Sequence, residues 1–128
     1  LLWRVVGIDK DRYFEGYYSL FDGDAPLFID FYPRNLHLMT GMEKHPPVVK
    51  LEEFTRGYFA FSSKDDYVAM TDLRMGSEPN YVFSFKVARL NGPHSIPIKD
   101  ERLKMNRDWQ SLTWVWKRIR TPLPQPQP

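Results

Sequence analysis

The sequence contains no cysteine. A disulfide scaffold, thiolate metal sites and a cysteine nucleophile are therefore excluded. No run of about 18 apolar residues occurs, so nothing reads as a membrane-spanning helix. No signal-peptide pattern opens the chain. Histidine is scarce: His37, His45 and His94 stand apart, with no His-Glu-x-x-His pair. A zinc site needs three or four converging ligands, often from close helical or hairpin spacing. His37 reads instead as a helix-face residue, and His45 and His94 as loop residues beside prolines. No serine sits in a Gly-x-Ser-x-Gly elbow, and neither a phosphate loop nor a dinucleotide fingerprint appears. Charge of one sign is lacking too. A formal net charge of +2 is too small to imply nucleic acid by itself.

What is present suits one packed domain. The chain has 128 residues, long enough for a single core. Aromatic residues reach 16%, which argues for packing rather than disorder. Leu1 to Val6 already reads as a strand, so the chain is expected to be cut from a longer protein. Residues 1–120 are expected to form the domain. The tail 121–128, with Pro122, Pro124, Pro126 and Pro128, is expected to be extended.

The stretch Gly57 to Ala88 reads as three antiparallel strands: Tyr58–Ser62, Tyr67–Leu73 and Tyr81–Ala88. In the last, Tyr81, Phe83, Phe85 and Val87 alternate with Ser84 and Lys86, the period of a half-buried strand. Upstream, Leu1–Ile8 and Arg12–Leu20 read as a hairpin around Asp9-Lys10-Asp11. Trp3, Val5 and Gly7 share one face; Arg4, Val6 and Ile8 share the other. Gly16 marks a bulge or a close backbone approach. Leu27–Tyr32 is a third strand. Asn35 is a candidate N-cap for a short helix to about Met39. Pro47 opens a second helix with Val48, Leu51 and Phe54 or Thr55 on one stripe, ended by Gly57. Leu90–Lys104 reads as loop with room for a short extended piece. Asn106 or Asp108 caps a final helix to about Arg120, with Leu112, Val115 or Trp116, and Ile119 as its stripe. The order predicts an α+β fold: an antiparallel sheet of about six strands, with two short helices and a C-terminal helix packed on it. The helices are expected on one face, and the two three-strand runs could pair as halves of one curved sheet.

Asp72, Arg74 and Glu78 are the candidates for a ligand site or a loop anchor. Asp72 and Arg74 are two apart at a strand end, so both point to one face. Arg74 could hold a carboxylate or phosphate by a forked contact. The favoured reading is that Asp72 receives Arg74 and fixes the following loop, and Glu78 could join either arrangement. Asp65 and Asp66 read as turn residues. Lys99, Arg102, Lys104, Arg107, Lys117, Arg118 and Arg120 crowd the last third, beside Trp109, Trp114 and Trp116. They suit base stacking or anionic lipid. The plainer reading is an amphipathic helix with its tryptophans inside and its charges solvated. No catalytic, cofactor-binding or metal-binding residue is assigned.

Four stretches carry a family likeness: Leu2-Trp3-Arg4-Val5-Val6, Glu15-Gly16-Tyr17-Tyr18-Ser19-Leu20, Thr71-Asp72-Leu73-Arg74-Met75-Gly76, and Tyr81-Val82-Phe83-Ser84-Phe85-Lys86-Val87-Ala88. With Trp114-Val115-Trp116-Lys117-Arg118-Ile119, they resemble the C-terminal soluble region of the predicted membrane-bound metal-dependent hydrolases, the YdjM-like inner-membrane proteins of bacteria. The resemblance implies a bundle of transmembrane helices before this segment, and a divalent metal held by His and acidic residues in that membrane part. It implies no cofactor and no catalytic residue in this chain.

Three functional classes follow. The preferred one is an accessory domain that caps, regulates or assists substrate binding for its own transmembrane region, with the membrane surface as a further partner and a lean to the cytoplasmic side. The second is an independent ligand- or protein-binding module using an aromatic sheet face. The third, a basic nucleic-acid binder, is the least favoured.

Overall fold

The computed structural model describes residues 2–92, 94–103 and 110–120. It is α+β, with antiparallel sheets. Strands β1 (Leu2–Ile8), β2 (Arg12–Ser19) and β3 (Ile29–Pro33) form one sheet in that order. A 3-10 helix (Leu36–Met39) and α1 (Pro46–Thr55) follow. Strands β4 (Phe59–Lys64), β5 (Tyr67–Asp72), β8 (Ser84–Asn91) and β9 (His94–Arg102) form a second sheet in that order. Between β5 and β8 lies a small ribbon, β6 (Gly76–Ser77) with β7 (Asn80–Tyr81). Helix α2 (Gln110–Arg120) packs against β1 and β2.

Several expectations are corrected. The two three-strand runs do not join edge to edge into one curved sheet; they form separate sheets. The helices do not share one face either. The 3-10 helix and α1 cover the second sheet, while α2 lies on the first. Leu90–Lys104 is not loop with at most a short extended piece, because β8 ends in it and the nine residues of β9 run through it. Pro97 is admitted there because β9 pairs only with β8, and an edge strand can spare the amide that proline lacks. Asn35 is no side-chain cap. It sits in the left-handed region, and its amide nitrogen donates to the Phe61 carbonyl at 2.9 Å. The Tyr81–Ala88 strand is broken: Tyr81 belongs to β7, and β8 begins at Ser84. A register shift against β9 then falls between Lys86 and Ala88, so Val87 and Ala88 are both buried. Phe83 and Phe85 are only half-buried, and the Lys86 ammonium lies 4.3 Å from the centre of the Tyr67 ring.

Two cores result. The larger packs Phe59, Phe61, Val68, Met70 and Val87 of the second sheet against Met42 and Val48. Each such side chain, once buried, stabilises the fold by about 1.5–3 kcal/mol. Helix α1 reaches this core because its Val48 and Leu51 stripe faces inward while Phe54 stays exposed. The smaller core lies between the sheets, where Tyr13, Val6, Ile8 and Tyr32 of the first meet Ala60 of the second, with Leu73 just past β5 and Tyr81. Arg34 joins the two. Its guanidinium donates to the Phe59 and Gly57 carbonyls at 3.0 Å each and stacks 4.8 Å from the Phe59 ring centre. Burial lowers its pKa, and carbonyl oxygens replace the lost water.

Candidate functional site

Charge is buried on the inner face of the first sheet. Alternation along β1 turns Arg4 inward with Val6 and Ile8, and alternation along β2 turns Glu15 inward between Tyr13 and Tyr17. Val6 pairs with Glu15 and Arg4 with Tyr17, so the two charges lie diagonally across neighbouring strands. Arg4 Nε donates to Glu15 Oε2 at 2.7 Å, and a second guanidinium nitrogen donates to the Leu73 carbonyl at 2.8 Å. Glu15 is fully buried. Burial works against the Arg4 charge, but the hydrogen bond and attraction of Glu15 outweigh it, and the Arg4 pKa rises.

Glu78 enters this cluster from the β6–β7 turn. The Tyr13 hydroxyl donates to Glu78 Oε2 at 2.5 Å, and the Glu78 amide lies 3.4 Å from Glu15 Oε2. Burial first, then the Glu78 hydrogen bond, holds the Tyr13 phenol protonated far above its usual range. Burial and the nearby carboxylates push Tyr17 and Tyr81 upward as well. Tyr32 is pushed up to about 12, by burial and then by Asp30. A cavity of about 200 Å³ opens beside these groups, lined by Tyr13, Tyr32, Tyr81, Glu78, Asn35 and Thr71 among others. A groove of about 320 Å³ adjoins it over Lys64, Tyr67 and Ser84, and the two share Ser62, Thr71, Pro79 and Tyr81.

Asp72 and Arg74 come together, apart from that cavity. Arg74 Nε donates to Asp72 Oδ1 at 3.0 Å, a second guanidinium nitrogen donates to Oδ2 at 2.8 Å, and the Arg74 amide donates to Oδ1 at 2.9 Å. The Asp72 hydrogen bond raises the Arg74 pKa. The guanidinium also covers the Phe54 ring at 5.2 Å. This is loop-anchor geometry: both arms of the fork are engaged by one carboxylate. Glu78 does not join it; its carboxylate goes to Tyr13.

The outer face of the first sheet is different in kind. Trp3 and Val5 of β1 and Ile29 and Phe31 of β3 lie exposed on it, with Trp3 at 56%. Leu27 and Phe28 lead into β3, and Leu20 and Phe21, the latter 68% exposed, follow β2. Glycines flatten this face. The Phe14 ring lies where a Gly7 side chain would be, with a Cβ only 2.0 Å from it. A Cβ on Gly16 would stand 2.8 Å from the Phe28 carbonyl, so Gly16 marks a close approach and not a bulge. Arg12 lies over the Phe31 ring at 4.2 Å.

The remaining candidates are dispersed. His45 Nε2 meets the Ile98 carbonyl at 2.7 Å, while His37 and His94 are exposed. Among the described residues no group of three or more His, Asp, Glu or Cys is placed to hold a metal. Asp65 sits in the left-handed turn between β4 and β5, and Asp66 pairs loosely with Arg89 at 3.7 Å. Arg118, expected to be solvated, is buried. It grips both Asp22 oxygens, and one nitrogen donates to the Tyr17 carbonyl at 2.6 Å. Trp114 packs edge-on against Tyr17, whereas Trp116, expected as a candidate for the buried stripe, is exposed. Lys104, Arg107, Trp109, the cap candidates Asn106 and Asp108, the Leu112 side chain and the tail 121–128 lie outside the described residues.

Sequence reasoning missed Arg4, Glu15 and the tyrosines around them. The available signal was a charged residue inside each of two paired, otherwise apolar strands. No helix among the described residues is long and apolar enough to cross a membrane. No family model, curated protein or solved structure matches the chain.

Proposed function

We propose that this chain is an accessory domain of a membrane-embedded protein of the YdjM-like kind, and that it works by contact. The outer face of β1–β2–β3 seats against the parent's own transmembrane region. One observation carries this reading: Trp3, Val5, Ile29 and Phe31 stand exposed together on one sheet face. Such aromatic and branched surface is costly to leave in water and supplies rigid contact area to a partner. On this reading the parent lies in a bacterial inner membrane and holds the divalent metal in its membrane part. This chain caps or regulates that part, on its cytoplasmic side.

The test is association in detergent between this chain and the separately expressed membrane part of the parent. Phe31→Asp should weaken association about tenfold or more, as a central aromatic contact does. Its thermal midpoint should fall only modestly, because about half of the ring is exposed, although it also packs on Phe14 and under Arg12. No association, or equal association of the variant, contradicts the reading.

A second reading, an independent ligand-binding module, is favoured by the cavity beside Tyr13 and Glu78. The nucleic-acid reading has less support. Arg118 is engaged by Asp22 and Trp114 by Tyr17, so neither is presented to phosphate or base.

A further inference from the structure

We propose that the cavity between the two sheets binds a small organic ammonium ion, its cationic head held among Tyr13, Tyr32 and Tyr81 and balanced by the Glu78 carboxylate. The cavity measures about 200 Å³, and no lysine or arginine lines it. That volume suits a choline-sized head group better than a drug-sized ligand, which needs roughly 300–1,000 Å³.

The charges call for a cation. The cluster holds one arginine and two glutamates, and Arg4 is paired with Glu15. Among the described residues Glu78 takes part in no ion pair. The Tyr13 hydroxyl fixes its carboxylate at the cavity wall. The walls favour a cation too. Tyr13 and Tyr32 stack with ring centres 5.2 Å apart and so offer their outer faces only, and the Arg4 guanidinium, 5.6 Å from the Tyr81 ring centre, takes one face of that ring and leaves the other. The phenols stay protonated at neutral pH, so the rings act through their π-faces. An anion would meet Glu78 and be repelled. This inference is independent of the docking face, since the cavity lies on the opposite, inner side of the first sheet.

The probes are choline chloride and its uncharged isostere 3,3-dimethylbutan-1-ol, titrated calorimetrically into the 128-residue chain. Choline should bind saturably, and the isostere about tenfold more weakly or worse, the worth of a partly desolvated cation–π contact. Glu78→Gln and Tyr32→Leu should each weaken choline about tenfold with the circular dichroism unchanged. Should either variant unfold, the comparison of choline with its isostere on the wild-type chain decides the same point. Competition by phosphatidylcholine vesicles would assign the ammonium to a lipid headgroup; its absence would assign a free solute. No saturable choline binding up to about 10 mM, or equal binding of the isostere, overturns the proposal.

Discussion

The Arg118 guanidinium grips the Asp22 carboxylate through two hydrogen bonds of 2.8 and 2.7 Å, across 96 residues of sequence. Asp22 also accepts the Ser19 amide at 2.7 Å, and the Ser19 hydroxyl donates to the Ile119 carbonyl at 2.8 Å. Together these bonds lock α2 onto the end of β2.

A pH dependence follows. The Arg118 hydrogen bond holds the Asp22 pKa below its usual value. A carboxylate depressed in the fold stabilises it above the unfolded pKa of about 3.9, and that stability is lost as pH falls through the folded value. Asp22→Asn should cost about 2 kcal/mol at pH 7, between the surface and interior limits for a pair. The gap to wild type should narrow below about pH 4. Urea midpoints at pH 7 and at pH 3 check this, and a gap independent of pH contradicts it.

The buried Arg4–Glu15 pair makes a sharper case. Arg4→Ala leaves Glu15 in the interior without its cation, and should cost about 3 kcal/mol or more. Arg4→Met with Glu15→Leu should be less damaging than Arg4→Ala alone, because no charge is then stranded. Equilibrium denaturation of Arg4→Ala, Arg4→Met, Glu15→Leu and the double variant decides it; an additive double variant would show that the two residues do not act as a pair.

Asp72 and Arg74 should couple by about 1 kcal/mol in a double-mutant cycle, since the pair is forked, with Asp72 buried but the Arg74 side chain 34% exposed. Arg74→Lys should recover little, because an ammonium cannot make both bonds. A coupling near zero would return Arg74 to the pool of ligand-binding candidates.

Gly76 has φ +112, and a Cβ there would lie 2.6 Å from the Asn80 carbonyl. Gly76→Ala should therefore destabilise the chain by about 1–3 kcal/mol. It should also perturb Tyr81 and Glu78 at the cavity, visible as shifted tyrosine resonances. Unchanged spectra would mean that the β6–β7 turn does not position Glu78.

Much of the fold is legible in the sequence where the signal is local. The Asp9-Lys10-Asp11 hairpin, the Pro-opened helix with Val48 inside, and the Asp72/Arg74 spacing are set by residues close in the chain. Strand β9 is not legible, because Pro97 argues against a strand until its edge position is known. The cavity was hidden for a different reason. Alternation along β1 and β2 divides Trp3 and Val5 from Arg4 and Val6, but does not say which set is inside. Apolar patterning points to Trp3, whereas the fold buries Arg4 with Glu15 and leaves Trp3 in solvent. Only pairing across strands makes that choice affordable. Glu78 stands out by its loop, but its partner Tyr13 lies 65 residues away.

The central claim is that the outer aromatic face meets the parent's membrane region. This chain has no native cysteine, so once any cysteines elsewhere in the parent are replaced, a single cysteine carries a photo-crosslinker without background. Placed at Phe31→Cys in the full-length parent in membranes, the probe should crosslink to a transmembrane segment. Placed at Glu53→Cys, on the exposed side of α1, it should not. Crosslinking from position 53 and none from position 31 would contradict the account.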